Sequence, residues 1–213
     1  MKSATWTAFA KRHLIPELGG ARLIGKLVIV PNDEWVLRAI TPESSNFSAS
    51  LFCLQALALP MYVPTRHVYF TYGGRIGALG GKAEMWWDTR QDQWQETAAA
   101  QAVREAKQFF ADVNGPAGLA TYIERRLLPI SPRDPNMREV LAYSQLLAGV
   151  DTAVASLNEA FVIASEARAP WAKEIVDRIS EVRGAISTGQ ASAVTELFSK
   201  WRDSNRRLLH LAD

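Results

Sequence analysis

At Trp94 the apolar residues of this chain change their spacing, and they do not change back. Before it, short runs rich in β-branched and aromatic residues alternate with Gly, Pro, Asn and Ser clusters; after it, apolar positions return every three to four residues almost to the end. A block of strands followed by a block of helices is the α+β pattern. Alternating βαβ units would have interleaved the two periods instead.

The segments follow from this division. Trp6, Phe9, Ala10, His13 and Leu14 recur at helical spacing behind Ser3, so a short N-terminal helix should run from Ser3 to Leu14 and stop before Pro16 and Gly19-Gly20. RLIGKLVIV (22–30) and EWVLRAI (34–40), joined by a turn at PND, read as a hairpin. FSASLFCLQALAL (47–59) reads as a central strand, although periodicity alone also permits a buried helix there. TRHVYFTY (65–72), beyond Pro60 and Pro64, reads as a fourth strand, completing an antiparallel meander. About six helices follow, in the segments 94–113, 117–128, 136–149, 151–168, 171–187 and 192–211, punctuated by Asn114-Gly115-Pro116, PISPRDP (129–135), Ala169-Pro170 and Thr188-Gly189. The three prolines of PISPRDP make it the expected boundary between a sheet domain, residues 1–128, and a C-terminal helical bundle or extension, residues 136–213, either free-standing or layered on the first.

A chain of 213 residues with 48% apolar and 22% charged residues has enough material for a core without disulfides or metal, and should not be disordered. The net charge of +2 is too small to name nucleic acid or an acidic membrane as partner. Cys53 is the sole cysteine, which rules out an internal disulfide and a cysteine-based zinc site. The N-terminus lacks the apolar core of a signal peptide, and no run approaches the roughly 18 apolar residues of a membrane span. A cytoplasmic protein is expected.

The stretch YGGRIGALGGKAEMWWD (72–88) holds five glycines, Arg75, Lys82, a tryptophan pair and Asp88. It is not a phosphate loop, because Ile76 stands where the Walker pattern needs its first glycine and Ala83 follows Lys82 where a hydroxyl is needed. Gly74, Gly77 and Gly80 miss the dinucleotide spacing, and no βαβ unit surrounds them. The glycines read instead as tight turning in a strand-to-strand connection.

His13, His67 and His210 are scattered, so no metal or cofactor site is expected; His13 and His210 suit structural roles. His67, on the expected strand leading to Arg75, is the one histidine placed near polar company. No Gly-x-Ser-x-Gly nucleophile elbow occurs. Lys200, Arg202, Arg206 and Arg207 cluster near the C-terminus, but Asp203 interrupts them and no aromatic ladder accompanies them. Among seven tryptophans, Trp6, Trp35, Trp171 and Trp201 are expected to fill the interior. Trp86 and Trp87 point to opposite faces in an extended segment, so one faces away from the core unless helices bury the sheet on both sides.

Through FAKRHLIPEL, GGARLIGKLVIV, SSNFSASLFCLQA, PTRHVYFTYGGRIG and the following WWD, residues 9–128 resemble an uncharacterised bacterial domain-of-unknown-function family. Its members run from a proline-ended helix through a strand meander into an Arg-Ile/Leu-Gly step and a Trp-Trp pair. The resemblance implies a compact α+β protein and, because members in some genomes accompany toxins, an immunity or neutralising role exercised by binding.

The expected function is therefore a non-enzymatic protein-binding module with a toxin as one candidate partner, using Arg75, Trp86, Trp87, Asp88, Arg90 and His67. The alternative is an enzyme or small-ligand protein with a pocket between sheet and helices and with His67 and Arg75 as polar groups. Self-association through the C-terminal helices is a third role.

Overall fold

The computed structural model describes residues 1–31, 34–190 and 192–211. The chain divides into two compact units: Met1–Leu59 with Tyr69–Asp112, and Pro60–Val68 with Val113–Asp213.

The first unit is built on a six-stranded antiparallel sheet in the order β1 (Arg22–Ile24), β2 (Leu27–Val30), β3 (Val36–Ser44), β4 (Leu51–Pro60), β5 (Gly73–Arg75), with β6 (Trp87–Asp88) also on β4. The run 22–30 is itself a hairpin. Ile24 faces Leu27 across a two-residue turn whose first member, Gly25, has φ +57°, the position that such turns reserve for glycine. The turn expected at PND lies at Asn32 and Asp33, outside the described residues.

The long apolar segment is a strand, and it begins at Leu51. Ser45–Ser50 form the β3–β4 turn, bonded through Ser45 N–H to Leu51 O and through Ser45 and Ser48 hydroxyls to Phe47 N–H and Ser50 N–H. Phe47, expected inside the strand, stands 98% exposed on that turn.

One sheet face carries α1 (Ser3–Phe9) and α2 (Trp94–Asp112). Phe9 meets Trp94 at 5.1 Å and Trp94 meets Phe52 of β4 edge-on at 5.3 Å, while Arg38 of β3 donates to Phe110 O near the end of α2 and lies over its ring. The N-terminal helix does not stop before Pro16. It widens into a π turn, Ala10–Leu14, then tightens into a 3₁₀ turn, Ile15–Leu18, that admits Pro16 in its first turn where no N–H is needed. His13 stacks on Phe9 and pairs with Gln95 at 3.1 Å, a structural role.

Residues 65–72 do not form the expected fourth strand. Asn205, 1% exposed, explains why. Its Nδ2 donates to Met61 O and Val63 O at 2.9 and 2.7 Å, and its Oδ1 accepts from Thr65 N–H at 2.9 Å. The backbone at the start of this run is thus bonded to α7 and not to a strand, and Pro60–Val68 belongs to the second unit. Sheet pairing resumes only where Ala58 N–H meets Tyr72 O.

The second unit holds α3 (Gly115–Tyr122, continued by a π turn to Leu127), α4 (Pro135–Leu147), α5 (Ala153–Glu166), α6 (Ala172–Ser187) and α7 (Ala193–Leu208). α4 packs against α3, α5 and α6. Its start is capped by Asp134, which accepts from Met137 N–H, with Pro135 in the first turn. Tyr62, Tyr143, Phe198 and Trp201 form an aromatic core with centroid separations of 5.0 to 6.0 Å. Within it, Ser144 donates to Val140 O, so the Tyr62 hydroxyl must donate to Ser144. Buried Glu139 takes two bonds from Arg178, at 2.7 and 2.8 Å; burial pushes its carboxyl upward while Arg178 pulls against that.

Trp6 and Trp201 are interior as expected and Trp35 is half-buried, but Trp171 is exposed. It precedes α6, where the following Ala172 takes the inward direction. His210 lies just past the end of α7 in the left-handed conformation, φ +54°. No helix of the described residues is long and apolar enough to cross a membrane.

Candidate functional site

Register on β4 sorts the WWD residues. Residues directly opposite each other in an antiparallel ladder project from the same face. Trp87 is opposite Phe52, on the α2 side, with ring centroids 5.8 Å apart, and it is 6% exposed. Arg75 is opposite Gln55 and Asp88 opposite Leu51, both on the other side. Trp86, one residue before Trp87, therefore joins the Arg75 face, where it is 40% exposed with the Arg75 guanidinium 5.5 Å from its ring centre. Of the expected site residues in the first unit, Arg75, Trp86, Asp88 and Arg90 share this face. Trp87 does not: it fills the core.

Arg75 is held from three directions. Its Nε and Nη2 bond the two oxygens of Glu43 on β3 at 2.9 and 2.6 Å, and its Nη1 bonds Glu84 at 2.7 Å. Gln55 also donates to Glu43, and the Cys53 thiol lies 3.6 Å from the same carboxylate oxygen. Hydrogen bonds from Arg75 hold Glu43 below the usual carboxylate range, and the same bonds raise Arg75. Burial, reinforced by Glu43, pushes Cys53 up to about 12, so it is a thiol and not a nucleophilic thiolate at neutral pH. Farther along the face, Arg90 makes a bidentate pair with Asp88, whose carboxyl is kept well below its ordinary value by the side-chain and backbone N–H groups of Arg90.

The glycine stretch is an excursion from the edge of β4. Ile76 N–H still bonds Leu54 O; the chain then leaves and closes on itself through Lys82 N–H to Gly77 O and Met85 N–H to Ile76 O. Gly77 has φ +96°, and a Cβ there would stand 2.3 Å from Ala83 O, so the turn requires glycine. The loop does receive a side-chain carboxyl group, but an internal one. Buried Glu105 of α2 accepts from Gly77 N–H at 2.6 Å and from Gln101, and its Oε1 lies 3.0 Å from where a Cβ on Gly80 would sit.

Comparison with family models, with curated proteins and with solved structures finds no match for this chain. What the site does must be read from its own geometry. In that geometry each nitrogen of Arg75 is engaged by a carboxylate. Among the described residues no three His, Cys, Asp or Glu side chains gather as metal ligands.

His67 is exposed and belongs to the second unit, on a segment with no strand, where its backbone exchanges hydrogen bonds with the Thr65 hydroxyl. Glu43, Glu84 and Glu105 were not legible as site residues. The one available signal was parity: Glu43 sits an even number of residues from Thr41 and Ala39, an alternation that becomes meaningful only once β3 is paired with β4.

Proposed function

We propose that the chain is a non-enzymatic protein-binding module whose contact surface is the sheet face bearing Trp86, Arg75, Asp88 and Arg90. The observation that carries this reading is the state of Trp86: a large aromatic side chain left 40% exposed, with its ring fixed beneath a guanidinium that two carboxylates hold in place. An indole already ordered in the free protein loses little conformational entropy on burial, and tryptophan and arginine are the side chains that dominate binding energy at such surfaces. The paired charges around it supply a polar rim.

The narrower form, a cytoplasmic neutralising partner of a toxin, rests on the resemblance of residues 9–128. The enzymatic alternative is not favoured, because Arg75 is committed to Glu43 and Glu84.

The test is cross-linked affinity capture from the native host with the wild-type chain and with Trp86→Ala. A single protein species recovered at least tenfold less with the variant, at unchanged circular dichroism, is expected. Equal recovery of every captured species by the two chains would reject this surface.

A further inference from the structure

Four helices of the second unit bring their ends together. α4 and α5 run antiparallel, because Arg138 pairs with Glu159 while Arg133, just before α4, pairs with Glu166 at the end of α5. Glu139 of α4 meets Arg178 of α6, so α6, which follows α5 after Ala167–Trp171, runs the same way as α4. The 188–192 connection reaches at most about 20 Å, less than the roughly 24 Å length of α6, so α7 packs back along it. The starts of α4 and α6 and the ends of α5 and α7 therefore share one end of the bundle. Three large apolar side chains stand in water there: Ile130 before α4, 80% exposed, Trp171 before α6, 47%, and Leu208 closing α7, 54%. The backbone beneath Ile130 is fixed through Ile130 N–H to Leu127 O and Arg138 Nε to Pro132 O. Arg133, Arg168, Lys173 and Arg207 are exposed at the same end, and of these Arg133 is the one held in an ion pair among the described residues. On the acidic side, Glu166 is on Arg133, Asp134 caps α4, Glu174 lies 3.9 Å from Arg178, and Asp177 stands farther along α6. The connections at the other end, 148–152 and 188–192, contain Asp151 and no Lys or Arg.

We infer that this end of the second unit docks on an anionic lipid bilayer, with Trp171, Ile130 and Leu208 entering the boundary between headgroups and acyl chains and Arg168, Lys173 and Arg207 meeting the anionic headgroups. Interfacial binding combines buried apolar area with attraction to acidic lipid, and both are present here and interleaved. Tryptophan is the side chain that settles at headgroup level, its ring in the apolar layer and its N–H in the wet one. The three apolar tips come from three separate segments. A folded protein partner would have to match all three in a fixed arrangement, whereas a fluid bilayer takes each one independently. Nucleic acid would engage the cations and could stack on the indole, but it would gain nothing from Ile130 and Leu208. The small net charge of the whole chain does not oppose this contact. Screening at physiological salt acts over about 8 Å, so the membrane feels the charges at the docking end and not the sum over the molecule.

Flotation of the full chain with vesicles tests this. The chain is expected to float with phosphatidylcholine vesicles containing about 30% phosphatidylserine, at least about tenfold less with phosphatidylcholine alone, and less again as salt is raised. Trp171→Ala/Ile130→Ser and Arg168→Gln/Lys173→Gln should each bind the acidic vesicles at least about tenfold more weakly at unchanged circular dichroism, while Val150→Ser at the other end of the bundle should bind like the wild type. Lipids brominated on their acyl chains should quench part of the tryptophan emission, and Trp171→Phe should float yet lose that quenching. Failure to float, equal binding to the two kinds of vesicle, or a Trp171→Ala/Ile130→Ser variant that floats like the wild type would overturn the proposal. Quenching that survives Trp171→Phe would also overturn it, by placing another tryptophan in the membrane. A chain that ignores both vesicles but captures a protein in a Trp171-dependent way would make this end a protein contact instead.

Discussion

Trp86 and Trp87 are adjacent, chemically identical and opposite in what they do, and substitution should separate them. Trp87→Ala removes a core ring packed on Phe52 and should cost about 3–5 kcal/mol in urea unfolding. Trp86→Ala loses only a cation–π contact at a half-open site and should cost under about 1 kcal/mol. If Trp86→Ala proved as destabilising as Trp87→Ala, Trp86 would be a structural residue and not an available anchor. The Glu43 carboxyl gives a second handle. Its folded value lies below the ordinary one, so its stabilisation is fully present above the unfolded value of 4.5 and is lost as pH falls through the folded value. Wild type should therefore lose stability relative to Glu43→Gln as pH is lowered from 5 towards 3, by about 1 kcal/mol or less given its partial exposure. Parallel pH profiles for the two proteins would contradict the assignment. That the tryptophans point to opposite faces was legible from strand alternation. Which one faces out was not, because it depends on Phe52 standing opposite Trp87, a register no local pattern encodes.

Elements whose hydrogen bonds are local were readable, and those satisfied from afar were not. The six helices from Trp94 onward close their bonds within about one turn, so a 3.6 period and Gly or Pro at the ends located them closely. Thr65–Tyr72 has strand composition, yet part of its backbone is claimed by Asn205, 140 residues later in the chain, and strand propensity yields to that tertiary bond. The glycine excursion shows the same division. Its turning was visible in composition, while its anchor, Glu105, lies on a helix read separately. Two glycines in it should respond differently to alanine. Gly77→Ala meets both a left-handed φ and a backbone oxygen at 2.3 Å, and should cost at least about 2 kcal/mol while releasing the loop from Glu105. Gly81→Ala, with φ +73° and nothing within 4 Å, should cost about 1 kcal/mol and leave the anchor intact. Amide exchange at Gly77 is the readout: faster exchange is expected in the first variant and unchanged exchange in the second, and the reverse order would mean that Glu105 does not hold the loop.

For the whole molecule, the cut suggested by PISPRDP and the division into compact units make different demands on the same chain. The chain leaves the first unit after Leu59, contributes Pro60–Val68 to the second, returns over Tyr69–Asp112, and ends in the second. A fragment of residues 1–128 thus keeps two segments whose partners have been removed. Met61, Tyr62 and Val63 lose Asn205 and Phe198, and Leu119 and Ile123 lose α4. All five side chains are buried in the full chain, and an exposed cluster of that kind binds hydrophobic dyes and favours association. Fragment 1–128 is therefore expected to bind anilinonaphthalene sulfonate and to elute as a mixture of sizes. Fragment 1–112, with Pro60–Val68 replaced by a Gly-Ser linker, discards both orphaned segments and retains the Phe9–Trp94–Phe52 cluster of the first unit. It should keep its near-ultraviolet dichroism and unfold in one cooperative urea transition. If 1–128 were instead the cooperative, dye-silent fragment and 1–112 the dye-binding one, residues 60–68 and 113–128 would have to belong with the sheet, and Asn205 would lose its place as the residue that assigns Met61–Thr65 to the helices.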